Sequence, residues 1–420
     1  MTEWIDAAEA ARRLGVKPAT LYAYVSRGVL RRRHAPDRRA SLFDAAEVEV
    51  LARRGRPRRP AAAAGELPIE SQISVLGEDR PYYRGRDALS LAESRRFEEV
   101  ARWLWTGTED EHRAPGDATA PKKAGGEGGW RADTGAVTAA MRAQAALPGR
   151  LLPLERLQIA TAVLAASDPL RFTLDAPAVA ETGRRLIGGL VDSLPAPPGA
   201  PPAPGESVGA RLWRALCPRR PTPGLLRALE AALVLLAEHE LAASTLAARV
   251  AASVRADPYA VVSAGLGVLG GPLHGGASLG AERMLRENDR PELAAGPIGD
   301  RLRRHERIPG FGHTVYKSGD GRMRLLYGLV TRAVSEGEGD PRRAEVAEAV
   351  LAESAARRLP EPNVDFALAT LTTVAGMVTG AGEAIFAVAR SAGWLAHAME
   401  EYARGVPLRP RVTYTGPPPS

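Results

Sequence analysis

Residues 137–268 constrain the fold more than any other stretch of this chain. Apolar residues recur there at helical spacing, they are mostly Leu and Ala, and β-branched residues are few. Proline- and glycine-rich breakers cut the run, notably at 194–205. The segments predicted to be helical are 137–146, 153–166, 176–193, 206–215, 223–238, 242–254 and 258–268. The pattern resumes at 277–287, 293–305, 321–335, 341–358, 365–376 and 380–404, and an earlier helix is predicted over 89–105. So many apolar helices can bury one another only through close Ala/Gly contacts, and the expected fold class is mainly α. Short β-like alternation is confined to the region around Ile73 and Val75. Residues 83–87 read as a turn and 106–135 as a polar loop.

Charge is placed unevenly. Residues 1–60 hold 14 of the 56 Lys and Arg but only 7 of the 49 Asp and Glu, so the whole formal excess of +7 lies there. An anionic partner, nucleic acid first, is expected for this end. Asp6 can cap a helix over 7–14, and Pro18 suits the first turn of another over 18–27. The three residues Gly15, Val16 and Lys17 join them in a helix-turn-helix pattern. The second helix would read DNA through an exposed set that includes Thr20, Tyr22 and Arg27, with Leu21 and Val25 packed inward. Arg31, Arg32 and Arg38 belong to a predicted β-wing over 30–43. Asp44 and Glu47 have the spacing of a capping box for a third helix ending at Arg54. Residues 3–54 resemble the winged helix-turn-helix of MerR-type regulators and phage excisionases. Domain boundaries of 1–55 for this unit and 56–68 for an Arg/Pro/Ala-rich linker follow.

Several classes are excluded. The single cysteine, Cys217, permits no intrachain disulfide and no cysteine-rich metal site. No apolar run approaches the roughly 20 residues that span a bilayer. The first residues are too acidic for a signal peptide, so a cytoplasmic location is expected. There is no Walker loop, no dinucleotide-binding glycine motif, no Gly-x-Ser-x-Gly elbow and no metal-ligand spacing.

Chemistry gathers in three later segments. His274 stands in Gly-Gly-Pro-Leu-His-Gly-Gly at 270–276, between an apolar run and a new helix start. His313 stands in Ile-Pro-Gly-Phe-Gly-His-Thr-Val-Tyr-Lys at 308–317. Asp365 is the carboxylate of Pro-Asn-Val-Asp-Phe at 362–366, flanked by Val364 and Phe366. Two glycine-framed histidines and an aspartate in an apolar setting suggest acid–base chemistry on carbon. Arg322, Arg390 and Arg409 lie near these motifs. Arg390 is embedded in apolar sequence, where an arginine needs an anionic partner. Several arginines beside a histidine would suit a di- or tricarboxylate.

With Tyr-Arg-Gly-Arg-Asp at 83–87, Glu-His-Glu at 238–240, Asp-Gly-Arg at 320–322, Ile-Phe-Ala-Val-Ala-Arg-Ser-Ala-Gly-Trp at 385–394 and Arg-Pro-Arg at 409–411, these motifs run in one order. In that order residues 70–420 resemble the short bacterial and archaeal form of citrate synthase. The resemblance implies a two-domain all-α fold: a large helical domain, 69–270 with 376–420, and a small CoA-binding domain, 271–375, that closes over it. It implies condensation of acetyl-CoA with oxaloacetate and hydrolysis of citryl-CoA, or the 2-methylcitrate variant with propionyl-CoA. Acetyl-CoA would be a co-substrate, and no cofactor or metal would be bound. Asp365 would take a proton from the acetyl methyl. His274 would hydrogen-bond the thioester oxygen, and His313 would bind the oxaloacetate ketone and protonate it. His239, Arg322, Arg390 and Arg409 would hold oxaloacetate, Arg409 reaching in from the other subunit of a homodimer. Lys317 and the Pro309, Gly310, Phe311, Gly312 turn would meet CoA. A synthase-like body used as a metabolite sensor by a DNA-binding regulator is the alternative from another class. The chain departs from the family pattern at Ser278-Leu279, Thr314, Gly321 and 108–134.

Overall fold

The computed structural model describes residues 4–14, 16, 21, 24–25, 30–34, 41–53, 69–108, 129–203, 206–410 and 415–416. The chain divides into two compact units, Met1–Glu70 and Ser71–Ser420.

In the first unit a three-stranded antiparallel sheet, in the order β1-β3-β2, carries two helices. The elements are β1 (Trp4–Asp6), α1 (Ala7–Leu14), β2 (Arg32–His34), β3 (Ser41–Asp44) and α2 (Ala45–Arg53). Asp6 Oδ1 accepts the Glu9 N–H, so the predicted cap of α1 is made. Leu21 is buried, and Val25 packs against the same cluster of Ile5, Ala10, Leu30, Phe43 and Val48. Strands β2 and β3 pair antiparallel within the segment 30–44. Strand β1, which the sequence reading lacked, pairs with β3 and completes the sheet.

Two expectations need correction here. Glu47 does not reach back to close a capping box. Its carboxylate takes the backbone N–H and Nε of Arg31, while Asp44 alone caps α2 through the Ala46 N–H. Arg31, expected at a DNA surface, therefore has its guanidinium tied to Glu47 and Asp44. Arg32 is exposed on β2. Thr20, Tyr22, Arg27, Arg38 and the linker 56–68 lie outside the described residues.

The second unit opens with a small antiparallel meander, β4 (Ser74–Leu76), β5 (Pro81–Tyr83) and β6 (Arg86–Asp87). Its β5–β6 turn is the predicted one, with Arg84 and Gly85 both at positive φ. Helices follow almost without interruption: α3 (Ala88–Ser94), α4 (Phe97–Thr106), α5 (Thr134–Ala145), α6 (Pro153–Ser167), α7 (Ala176–Asp192), α8 (Val208–Leu216), α9 (Pro223–Leu236), α10 (Ala243–Ser253), α11 (Pro258–Leu269), α12 (Gly276–Glu287), α13 (Ala295–Arg303), α14 (Gly321–Ser335), α15 (Pro341–Ala356), α16 (Val364–Ala375) and α17 (Ala381–Arg404). The single helix predicted over 89–105 is two helices. Arg95 and Arg96 are extended, and the Glu99 carboxylate accepts the Arg96 N–H to start α4.

Starts are set by side chains that cap: Asp87, Asp133, Asp175, Ser207, Asp257, Asp320, Asp340 and Asn363 each accept a first-turn N–H. Helix α17, about 36 Å long at the usual rise, is buried along nearly its whole length and packs against α4, α6, α7 and α9 to α12. Burial on every side explains its mostly apolar sequence. The polar residues it does bury are therefore the ones to watch: Glu383, Arg390, Ser391, His397 and Glu401. No helix among the described residues is long and apolar enough to cross a membrane.

Candidate active site

His239, His274, His313, Asp365, Arg322 and Arg390 converge, although more than 150 residues separate the first from the last. Asp365 and His239 both lie in the field of Arg322 and Arg390; His274 feels Arg390 and His313 feels Arg322.

His313 and Arg322 come from one short segment. The His313 ring turns back on its own chain, its Nδ1 accepting the Val315 and Tyr316 N–H groups at 3.0 and 3.1 Å. Nδ1 is therefore the bare nitrogen, and the ring proton sits on Nε2. That Nε2 lies 3.4 Å from Arg322 Nη2. Two donors face each other there, so both await an acceptor oxygen from outside the protein. Tyr316 stacks on His313 at 4.5 Å and bonds His239 Nε2 through its hydroxyl at 3.0 Å. Arg322 is buried in a fork with Asp320, at 3.0 and 2.8 Å, and Asp320 also takes the Val364 N–H. Burial opposes both charges, and each partner more than offsets it. The Arg322 pKa is raised and the Asp320 pKa lowered.

Asp365 occupies the first turn of α16, started by Asn363. Its Oδ1 is sealed from solvent and has no hydrogen-bond partner. Burial pushes its carboxyl up to about 7, against the pull of Arg322. The Pro309 to Gly312 turn is fixed to the segment leading into α16: Gly312 N donates to Glu361 O at 2.7 Å, and Asn363 N to Gly310 O at 2.9 Å. Gly310 has φ +83°, and a Cβ there would sit 3.0 Å from the Phe366 Cβ, so only glycine fits. Lys317 is exposed and its Nζ reaches His313 O at 3.1 Å.

The other half of the site hangs on α17. Arg390 is 1% exposed. Its Nε donates to Leu236 O at 2.8 Å, its guanidinium lies over Phe386, and its Nη1 has no partner. Burial lowers its pKa. Phe386 meets the His274 ring edge-on at 5.9 Å, and His274 Nε2 is 2.7 Å from Ser244 Oγ. Burial and Arg390 drive His274 down to about 4, and burial and Arg322 do the same to His313. His239 is driven well below its usual range by burial and the two arginines. All three histidines are thus neutral at ordinary pH, able to donate hydrogen bonds without carrying charge.

Sequence reasoning missed the buried polar network beside His239. Glu238 is buried; its Oε1 receives Ser74 Oγ and His397 Nε2, and His397 Nδ1 faces Arg249 Nη1 at 2.7 Å. Arg249 continues to Glu400 and Glu401. Glu238 stood in a quoted motif, but its pairing with His397 spans 159 residues, which no local spacing reveals. Arg409, expected to bind oxaloacetate, is exposed and is not among the residues brought together. Among the described residues no three His, Cys, Asp or Glu are placed to hold a metal ion.

The geometry fits comparison with known proteins. The family model described as "Citrate synthase, C-terminal domain" matches residues 63–411. The chain belongs to the citrate synthase family. It is 32% identical over 375 residues to citrate synthase 2 of Bacillus subtilis, covering 84% of this chain and 95% of that one. It is 30% identical over 359 residues to 2-methylcitrate synthase 1 of Corynebacterium glutamicum, covering 80% and 88%. Among solved structures it resembles citrate synthase of Thermotoga maritima, with a TM-score of 0.65, 26% identity and coverage of 84% and 94%. The chain is an enzyme of citrate synthase type, condensing an acyl-CoA with oxaloacetate. Acyl-CoA enters as a substrate, and the family's reaction needs no bound cofactor.

Proposed function

We propose that this enzyme condenses acetyl-CoA with oxaloacetate and releases citrate and CoA, using Asp365, His274 and His313. The observation that carries the assignment is Asp365: a carboxylate with a sealed, unpartnered oxygen and a pKa near 7, close enough to the arginines to be ionised on demand. It removes a proton from the acetyl methyl. His274 hydrogen-bonds the thioester oxygen as the enol forms. The enol carbon attacks the oxaloacetate ketone, and His313 gives its Nε2 proton to the new alkoxide. Citryl-CoA is then hydrolysed. His239, Arg322 and Arg390 hold the oxaloacetate carboxylates and ketone; Lys317 and the Pro309 to Gly312 turn meet CoA. Domain 271–375 closes on 69–270 with 376–420 to exclude water.

Propionyl-CoA is the competing substrate, because the same residues would serve it. Side-by-side kcat/KM values for the two thioesters decide. Acetyl-CoA is expected to lead, and a ratio favouring propionyl-CoA would transfer the assignment to 2-methylcitrate synthesis.

The working unit is a homodimer. Helix α10 buries Ser244, Ala248, Arg249 and Ala252 but exposes Leu246, Val250 and Val254 on its other face. Such an i, i+4, i+8 apolar stripe suits a second copy of the chain. Leu408 N donates to Ser253 Oγ, and Arg409, the next residue, is exposed. Arg409 would complete the partner's site. Mixing inactive Arg409→Ala and Asp365→Ala subunits tests this: restored activity in mixed dimers is expected, and none would place Arg409 in its own subunit's site or outside any site.

The N-terminal unit is assigned a DNA-binding role as a winged helix-turn-helix. Its charge excess and the β2–β3 hairpin followed by α2 support this. A gel shift that weakens with salt and disappears on deletion of residues 1–60 is expected; no shift at low salt would refute it.

A further inference from the structure

Ser244 lies in the first turn of α10 and is fully buried. Its Oγ has two neighbours, His274 Nε2 at 2.7 Å and Trp394 Nε1 at 3.2 Å. An indole nitrogen can only donate, so Trp394 occupies one lone pair of the hydroxyl. Two arrangements of the remaining proton are possible. Either Ser244 donates to His274 Nε2, and each polar hydrogen between the three side chains is used. Or His274 donates to Ser244, and the buried hydroxyl proton has no acceptor. The second arrangement leaves an unsatisfied buried donor and is disfavoured. The first leaves the His274 ring proton on Nδ1, the nitrogen that has no partner among the described residues.

We infer that Trp394 is a positioning residue for the condensation: its indole N–H, by bonding one lone pair of Ser244 Oγ, biases the hydroxyl toward donating to His274 Nε2 and so favours the His274 proton on Nδ1, facing the thioester. The inference rests on the reading of His274 as the donor to the thioester oxygen. A hydroxyl that accepts a hydrogen bond is also polarised into a better donor, so the chain of three strengthens itself. The fold provides for this contact. Trp394 is 0% exposed, and its ring lies flush on Gly265 of α11, where a Cβ would sit 2.6 Å from the indole. Helix α17 therefore sets both halves of the chemistry on its side of the site, Arg390 directly and His274 through Trp394 and Ser244.

Trp394→Phe keeps a buried ring and removes only the donor and part of the ring system. The full-length chain labelled with 15N-histidine, with His274→Gln to assign the signal, reports which ring nitrogen carries the proton. The wild type is expected to hold it on Nδ1. In Trp394→Phe a measurable share is expected to move to Nε2, with kcat falling about tenfold and KM for oxaloacetate changing less than about twofold. Gly265→Ala, which pushes the indole off Ser244 without removing its N–H, is expected to give the same signature, and serves if the phenylalanine variant does not fold. A tautomer unchanged in the folded variants, or one already on Nε2 in the wild type, overturns the inference. A tautomer that shifts as expected in a protein without condensing activity upholds the Trp394 contact and refutes instead the role given to His274.

Discussion

The two buried arginines of the site are opposites. Arg322 arrives with its own counter-ion, forked onto Asp320, which also receives the first N–H of α16. Arg390 has one backbone carbonyl, an aromatic face and an unpartnered Nη1. The first is neutralised by a carboxylate it forks before any substrate arrives, though its Nη2 still faces His313; the second feels Glu238 and Asp365 only through space and has no carboxylate hydrogen-bonded to it. Binding energy from a dianionic substrate should therefore fall mostly on Arg390, whereas Arg322 is also part of the frame that places His313 and Asp365.

Substitution separates the two roles most sharply. Arg390→Met is expected to lower kcat/KM for oxaloacetate about a thousandfold while leaving thermal stability unchanged or improved, since it removes a buried charge that lacks a full partner. Arg322→Met should lose comparable activity and in addition destabilise the fold by about 3–5 kcal/mol, because it strands Asp320 in the interior. Chemical denaturation beside steady-state kinetics checks both. Equal destabilisation of the two variants would erase the contrast.

A smaller effect follows from protonation. Asp365 must be ionised to act as a base, and its pKa stands near 7. The histidines at about 4 stay neutral through that range. Below pH 7, kcat/KM should fall about tenfold per pH unit with a single acid limb. A profile flat down to pH 5 would remove Asp365 from the role of base.

The smallest effect is on stability. The folded Asp365 keeps its proton up to about 7, whereas the unfolded carboxyl releases it near 3.8. Stability is thus lost as pH rises through that window, and the loss is complete above 7. Asp365→Asn removes it, so the melting temperature of this inactive variant should exceed that of the wild type at pH 8 but match it near pH 4. A variant less stable at pH 8 would show that the carboxylate is held by partners rather than merely buried.

The same contrast marks what the sequence could reveal. The Asp320–Arg322 fork, the His313 turn and the Asn363 cap of Asp365 are local, with partners two or three residues apart, and glycines advertise the turns. That half of the site was legible as motifs. Arg390 was noticed for its apolar setting, but its dependence on Leu236, and the links Trp394–Ser244 and His397–Glu238, join residues about 150 positions apart through helix packing. No periodicity encodes them. The helical character was equally legible, because Leu/Ala spacing and Asp or Ser caps are local. The break at Arg95–Arg96 was not, since two arginines in sequence read as good helix. Arg31 misled for a related reason: sequence shows a basic run, and only the fold shows Glu47 and Asp44 beside it.

Release of CoA by the purified chain, given acetyl-CoA and oxaloacetate, tests the central claim most directly when the wild type and Asp365→Ala are compared. The structure calls for release by the wild type and a loss of at least about a hundredfold in kcat in the folded variant. Equal rates in the two proteins would contradict the account, because the buried carboxylate at the start of α16 would then not be the group that removes the proton.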